Sequence, residues 1–261
     1  MNRYTPKNKK PRIKTSWERS SQGYQKLVGQ SGHYYHEHVI IPGVLKLLNL
    51  KDTDRVLDLA CGQGVLARHL PKNISYLGID ASPTLINFAK RQDKNRLHQF
   101  VIADATKPLN TVDKNFTHAT IILALQNIEN PTFTIREAGA HLVHGGTLLI
   151  ILNHPAFRIP RQSGWSVNPQ NKLQYRWISK YMSEMKIPVE MHPGSARKEI
   201  TWTFHQPLSA YIKMLKQSGF VIKDMEEWVS DKESAGKMAK SEDRARAEIP
   251  LFMAILAIKQ G

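Results

Sequence analysis

The sequence contains one cysteine, Cys61, among 261 residues, and no apolar run long enough to cross a bilayer. A single cysteine excludes a disulfide within the chain, and it is typical of proteins of the reducing cytosol. A spanning helix needs about 20 mostly apolar residues. The basic N-terminus also lacks the apolar core of a signal peptide. We therefore expect a cytoplasmic location and no membrane partner.

Acidic residues are scarce: 22 Asp and Glu stand against 37 Lys and Arg, which gives a net charge of +15. Six bases precede the first acid, Glu18, and they are Arg3, Lys7, Lys9, Lys10, Arg12 and Lys14. Among Asn, Pro and Thr, these charges predict a flexible, solvated arm over residues 1–15. Such an arm could bind RNA phosphates without sequence preference. A solubilising tail without a partner is the interpretation that we favour.

The stretch RVLDLACGQGVLARHL, residues 55–70, is the most informative part of the chain. Its apolar first part is short enough for a buried strand, and it is bounded by glycine. Gly62 and Gly64 then predict a tight turn, and the apolar spacing after them predicts a helix. A turn of this kind lies at the carboxyl end of a strand, where nucleotide-like ligands bind in open α/β sheets.

Three predicted strands each carry an acid at or near their carboxyl end: Asp58, Asp80 and Asp104. A carboxylate inside a buried strand is costly unless it holds something. Asp80 can accept from two ribose hydroxyls, and Asp104 can accept from an exocyclic amine. The spacing of Gly62, Gly64 and Ala67 also satisfies the dinucleotide pattern, which keeps an NAD-binding protein as an alternative.

These residues resemble the class I S-adenosylmethionine-dependent methyltransferases. The motifs that carry the resemblance are LDLACGQG at 57–64, GIDAS at 78–82 and ADA at 103–105, and it extends through the strand at 118–126. The resemblance implies S-adenosylmethionine as cofactor, with the glycines under its methionine part, Asp58 near its amino group, Asp80 on the ribose and Asp104 on the adenine. The implied cofactor-binding set is Asp58, Ala60, Cys61, Gly62, Gly64, Asp80, Ala81, Ser82, Asp104, Ala105, Leu123 and Tyr24.

Residues 16–50 are predicted to form an N-terminal helical lid. In families that resemble this one such a lid covers the cofactor, which would place Tyr24, Tyr34 and Tyr35 near the methyl group; aromatics packed between lid and core are an equal alternative. His33 and His36 fall on one helical face and His38 falls off it. Because no third ligand has a familiar spacing, we expect no metal.

The remaining segments complete a doubly wound α/β sheet of seven strands, six parallel and the last antiparallel. The core is predicted over residues 51–155 and 206–261, with a cap insertion at 156–205 after the fifth predicted strand, Leu148 to Leu152. Similar methyltransferases use an insertion here to cover and select the acceptor. Its aromatic and basic residues suit a planar anionic acceptor or single-stranded RNA, and a cap that packs on its own aromatics is a third reading.

We therefore expect methyl transfer to an O, N or C atom of a small acceptor. RNA or protein methylation and non-catalytic S-adenosylmethionine binding remain alternatives. The acceptor-binding candidates are Tyr34, Gln126, Asn153, Arg158 and Trp165. Alignment of the acceptor does most of the work in such a reaction, and a base is optional. His154 follows the fifth strand, so it is expected to face the cleft as a base, with His36 and Tyr35 as the other candidates.

Overall fold

The computed structural model describes Glu18, Ser21 and residues 33–110, 112–190 and 200–261. Its centre is a seven-stranded sheet with the order β10-β11-β5-β4-β1-β2-β3. The strands of this sheet are β1 (Arg55–Leu59), β2 (Ser75–Asp80), β3 (His98–Ile102), β4 (Phe116–Ile122), β5 (Leu142–Asn153), β10 (Phe220–Trp228) and β11 (Phe252–Lys259). Only β11 runs against its neighbours, β5 and β10, so the predicted six-plus-one arrangement is confirmed.

Helices cover both faces of the sheet, as a doubly wound fold requires. They are α1 (Ile41–Leu48), preceded by a π-helical turn at His36–Ile40, α2 (Pro83–Gln92), α3 (Pro131–His141), α4 (Leu208–Gln217) and α5 (Ala239–Glu248). One apolar core lies between one face of the sheet and the helices α3 and α4, and it includes Ile135 and Leu215. The other core includes Val44 of α1 and Ile86 of α2. The sheet is therefore buried on both sides, and its strand ends remain available for a ligand.

The prediction of a helix after the glycine turn is wrong in its extent. Residues 62–66 form turns, and only Ala67–His69 is helical, in a 3-10 turn. Pro71 disfavours the helical conformation of the residue before it, so an α-helix cannot extend through Leu70. The apolar side chains Val65, Leu66 and Leu70 are nevertheless buried, as the spacing indicated.

The segment between β5 and α4 contains two separate hairpins. The first pairs β6 (Ser163–Asn168) with β7 (Leu173–Ile178), and the second pairs β8 (Met185–Glu190) with β9 (Ile200–His205). Neither hairpin joins the main sheet. In the described residues, no helix is long and apolar enough to cross a membrane.

Candidate functional site

The glycine turn after β1 presents bare backbone at the edge of the sheet. Ala60, Gly62 and Gly64 all have positive φ angles, of 58°, 57° and 69°. A Cβ atom on Gly62 would meet nothing within 4 Å, whereas one on Gly64 would lie 2.7 Å from the Phe100 ring. The two glycines therefore have different reasons for lacking a side chain. Gly62 leaves open space beside the backbone, and Gly64 allows the turn to pack against β3.

Asp80 fastens this turn to the end of β2. Its Oδ2 accepts a hydrogen bond from the Gly62 N–H at 2.9 Å, and its Oδ1 accepts one from the Ser82 N–H at 2.8 Å. Burial raises the pKa of Asp80, and the two backbone donors oppose that rise. Each carboxylate oxygen keeps a further lone pair, because an ionised carboxylate has about four acceptor positions. Asp80 can thus order the turn and still accept from a ligand.

Ser82 and Glu18 meet beside Asp80. The Ser82 hydroxyl caps α2 by accepting from the Leu85 N–H at 3.2 Å, and it donates to the Glu18 carboxylate. Glu18 also accepts from the Thr84 hydroxyl at 2.7 Å. Ser82 is fully buried, so it positions the start of α2 and has no surface for a ligand. Glu18 lies in the predicted lid, but the sequence does not predict this contact, because it joins residues 64 positions apart.

Asp58 lies deeper, and its carboxylate is occupied by neighbouring strands. Tyr76 Oη donates to its Oδ2 at 2.7 Å, and Thr120 Oγ1 donates to its Oδ1 at 2.8 Å. Burial raises the pKa of Asp58 to about 6 despite these donors. Burial likewise raises the pKa of the neighbouring Cys61 thiol, which keeps it unreactive. These contacts give Asp58 a role in joining β1, β2 and β4.

The ends of β3 and β4 supply the next part of the site. Asp104 accepts from the backbone and hydroxyl of Thr106 at 3.0 and 2.7 Å, and its side chain is about a fifth exposed. After β4, Leu123 adopts a positive φ of 52°, and its carbonyl accepts from Gln126 Nε2 at 2.9 Å. Gln126 Oε1 is buried, and no described residue donates to it. This oxygen is available to a ligand donor.

A cavity of about 580 Å³ joins these strand ends. Ten of the residues predicted for the site line it: His36, Ala60, Gly62, Asp80, Ala81, Asp104, Ala105, Leu123, Gln126 and Asn153. The β8–β9 hairpin also lines the cavity, with Lys186, Val189, Thr201, Trp202, Thr203 and Phe204. A volume of this size suits a cofactor or a drug-sized ligand. The hairpin residues were part of the predicted cap, but only the fold shows which of its two hairpins reaches the cavity.

The other predicted site residues do not line this cavity. His154 is buried: its Nε2 lies 2.6 Å from Glu227 Oε1, and its Nδ1 accepts from the backbone of Ala156 and Phe157. The expectation that it faces the cleft failed because Asn153, its neighbour in the chain, lines the cavity instead, and successive side chains of an extended chain alternate in direction. The remaining residues of this group are Asp58, Cys61, Gly64, Ser82, Tyr34, Tyr35, Arg158 and Trp165.

The predicted aromatic and basic candidates contact one another elsewhere. Tyr34 stacks on His38 with ring centroids 4.2 Å apart, and the Lys232 ammonium lies 4.4 Å from the Tyr34 ring and 4.9 Å from the Tyr35 ring. Burial lowers the pKa of Arg158, which also interacts with Tyr35. Arg176 lies over the Trp165 ring at 5.1 Å. Tyr24 falls outside the described residues, as does the arm at 1–15.

His36 is the titratable imidazole that reaches the cavity wall. Burial lowers its pKa to about 4, and the nearby His33 and His69 add to the effect. Its Nδ1 is buried, and no described residue forms a hydrogen bond with it. At neutral pH the ring is therefore uncharged. The described residues contain no group of three or more His, Cys, Asp or Glu side chains arranged to hold a metal ion.

Comparisons with known proteins agree with this geometry. A family model described as a methyltransferase domain matches residues 57–150. A curated demethylmenaquinone methyltransferase of Staphylococcus saprophyticus is 28% identical over 113 residues, and one of Thermotoga maritima is 29% identical over 111 residues. Each alignment covers 41% of this chain, and the chain spans about half the length of these relatives, 48% and 47%.

A solved structure extends the likeness over most of the fold. An S-adenosylmethionine-dependent methyltransferase from Mesorhizobium loti superposes with a TM-score of 0.66 at 23% identity, covering 84% of this chain and 96% of that one. The matched domain begins in β1 and ends in β5, so it contains the glycine turn and the three strand-end acids Asp58, Asp80 and Asp104. The domain match and the strand order together show that residues 57–150 form a methyltransferase domain and that the chain has the fold of S-adenosylmethionine-dependent methyltransferases.

Proposed function

We propose that this chain transfers a methyl group from S-adenosylmethionine to a small planar acceptor. The observation that carries the proposal is that one cavity has two chemically different walls. One wall consists of strand ends with acids and bare backbone, and the other consists of aromatic and polar residues of the β8–β9 hairpin. The strand-end wall fits a nucleoside, and the hairpin wall fits a flat acceptor molecule.

The strand-end wall satisfies the requirements of the cofactor. Asp80 and Asp104 offer carboxylate oxygens from two neighbouring strands, which suits ribose hydroxyls and an adenine amine. Gly62 leaves its backbone open, with nothing within 4 Å of the position of a Cβ atom. When bound, S-adenosylmethionine supplies a methyl group on a sulfonium that is itself a good leaving group. The chain's own residues have to hold, align and shield the reactants.

The hairpin wall favours an aromatic acceptor with a polar or anionic group. The Lys186 ammonium lies 5.3 Å from the ring centroids of both Trp202 and Phe204. It also lies 3.0 Å from Glu129 Oε1, and both of these charged side chains are largely exposed. An exposed ion pair contributes roughly 0–1 kcal/mol, so an acceptor anion can replace Glu129 at little cost. The quinone named in the curated relatives is an acceptor of the same planar class.

His36 is the residue that we propose for contact with the proton of the acceptor. Its lowered pKa makes it a weak base, so it accepts a hydrogen bond without keeping a proton at neutral pH. It therefore aligns a hydroxyl or amine, and the proton leaves to solvent. His154 is a weaker candidate because its imidazole is held by Glu227 and by backbone N–H groups. Tyr35 is also weaker, since its hydroxyl is 3.4 Å from Ser230 and its ring packs against Phe252.

Calorimetry and methyl transfer from labelled cofactor test the proposal at two levels. S-adenosylmethionine and S-adenosylhomocysteine should bind, whereas NAD should not. Fractionated cell extract should take up label in its small-molecule fraction. Label in RNA or protein instead would favour the alternative acceptors, for which the net charge of +15 is the supporting observation. Cofactor binding without transfer to any fraction would indicate a non-catalytic binding protein.

The acceptor wall has its own test once an acceptor is known. Trp202→Ala should raise the KM for the acceptor and leave the Kd of the cofactor unchanged, because Trp202 belongs to the hairpin wall alone. Met225→Ala is a matched control, since Met225 is about as exposed, at 45% against 37%, but lies on β10. An unchanged acceptor KM in Trp202→Ala would contradict the assignment of this wall.

A further inference from the structure

The β6–β7 hairpin has one face that is attached to the rest of the protein. Arg176 lies on this face, and its Nε donates to the Phe157 carbonyl at 2.6 Å while its Nη2 contacts Ser163 Oγ at 3.0 Å. The guanidinium also covers the ring of Trp165, the residue paired with Arg176 across the hairpin. These contacts fix the orientation of the β6–β7 hairpin relative to the segment that contains Phe157. The residues on either side of Arg176 in β7, Tyr175 and Trp177, point to the opposite face, because side chains alternate along a strand.

The β7 side chains of the opposite face are apolar and exposed. Leu173, Tyr175 and Trp177 alternate along β7 and are 39%, 44% and 41% exposed. Trp177 lies across Gly164, where an added Cβ would come within 2.8 Å of its ring. Val167, Ile178 and Met182 are also exposed apolar side chains of this segment, and Val167 and Ile178 lie on the Arg176 side of the hairpin. Contiguous exposed apolar surface on a soluble domain indicates an interaction site. We call Leu173, Tyr175 and Trp177 the hairpin face.

The charged residues of the segment that contains this hairpin have one dominant sign. Residues 156–190 contain six Lys and Arg but only two acids, Glu184 and Glu190. Three exposed bases flank the strands: Arg161, Lys172 and Lys180. Across the described part of the chain, none of the three forms an ion pair. The surface is therefore complementary to an anionic partner that also accepts apolar groups.

We propose that the hairpin face docks on an anionic lipid surface. Trp and Tyr prefer the boundary between headgroups and acyl chains. Lys and Arg near such a surface contribute about 1 kcal/mol each through the anionic headgroups. The aliphatic side chain of Leu173 favours lipid over RNA, because bases stack on aromatic rings and gain little from branched aliphatics. Docking of this kind needs no spanning helix. It departs from the expectation of no membrane partner, which rested on the lack of a spanning helix and of a signal peptide. It goes beyond the proposed methyl transfer and does not depend on it.

Sedimentation of the full chain with vesicles tests this proposal. Phosphatidylglycerol vesicles should bind the protein, and phosphatidylcholine vesicles should bind it much more weakly. The double variant Leu173→Ser, Trp177→Ser should lower the partition coefficient by about ten-fold, because two apolar side chains no longer enter the interface. The matched control is Val221→Ser, Met225→Ser, which removes two side chains of 47% and 45% exposure from β10. The control should bind like the wild type, and circular dichroism should show that both variants are folded.

Four results would overturn the proposal. Absence of binding to phosphatidylglycerol is the first. Equal loss of binding in both double variants is the second, since it would mean that the effect is not specific to the hairpin. Vesicle binding that is unchanged in the hairpin variant would be the third, because it would assign the binding to other basic segments. Finally, oligouridylate binding or self-association that needs the hairpin face, without vesicle binding, would identify RNA or a second copy as the occupant.

Discussion

Gly62 and Gly64 share one motif, yet an alanine at Gly62 should mainly weaken ligand binding, whereas an alanine at Gly64 should mainly lower stability. Both have positive φ, so an alanine costs on the order of 1–2 kcal/mol in backbone strain at either position. At Gly62 the new methyl group meets no protein atom within 4 Å, and it lies beside the cavity. At Gly64 it would lie 2.7 Å from the Phe100 ring and 3.2 Å from the Ala89 side chain. Overpacking of this kind adds roughly 1–3 kcal/mol.

These magnitudes translate into two separable measurements. Gly62→Ala should lower Tm by only about 2–8 °C, since 1 kcal/mol corresponds to roughly 2–4 °C in a domain of this size. Its Kd for S-adenosylhomocysteine should rise by more than ten-fold, because the methyl group occupies space next to the ligand. Gly64→Ala should lower Tm by about 4–20 °C on the same scale. The fraction that is still folded should bind with nearly wild-type Kd.

Thermal unfolding followed by circular dichroism and titration calorimetry below the transition would measure both effects. The reasoning would be refuted by wild-type binding in Gly62→Ala, or by lost binding in Gly64→Ala that is still fully folded. A Tm of Gly64→Ala equal to that of Gly62→Ala would also contradict the proposed packing against Phe100. Wild-type protein with saturating ligand should have a raised Tm, which serves as the control for binding to the native state.

The remaining predictions concern three polar side chains. Asp80→Ala should abolish cofactor binding and also destabilise the fold by about 2–4 kcal/mol, because two partly buried backbone N–H groups, those of Gly62 and Ser82, lose their acceptor; a wild-type Tm would contradict this. The kcat of the wild type should stay constant as the pH falls below 6 and should decrease only near pH 4, because the His36 ring is protonated only near its lowered pKa. His36→Asn should remove this decrease at acidic pH. A decrease of kcat near pH 6.5 would contradict the assignment of His36. His154→Ala should lower Tm by several degrees, because the contact with Glu227 is lost. The kcat per folded molecule should be unchanged. A large loss of kcat at wild-type Tm would make His154 a catalytic candidate again.

Stability should also depend on pH through His36. Burial places its folded pKa, about 4, below the value of about 6.5 for an unperturbed histidine. The unfolded chain therefore binds the extra proton first, and the free energy of unfolding should fall as the pH drops from about 6.5 to 4. His36→Asn should show a shallower loss over that window. Chemical denaturation at a series of pH values measures the difference, and identical slopes would show that the ring is not buried as neutral imidazole.

The local chemistry of the strand ends could be predicted from the sequence alone. Apolar runs, glycine pairs and terminal acids follow one another within a few residues, so Gly62, Asp80 and Asp104 were assigned to one edge of a parallel sheet. This assignment works because the carboxyl ends of parallel strands must meet at the same edge. The seven strands and the antiparallel last one, β11, were also predicted, whereas the order of the strands in the sheet was not.

Only the tertiary structure decided which neighbouring side chain reaches the cavity. Asn153 does and His154 does not, because the direction of each side chain depends on how the end of β5 meets β11 and Glu227. The contact of Glu18 with Ser82, and that of Lys186 with Trp202, join segments that carry no sequence signal for each other. Local patterns therefore determined the strands, turns and acids of this protein, because those depend on residues close in sequence. Packing between distant segments determined the acceptor wall and the burial of each candidate, because those depend on residues that only the fold brings together.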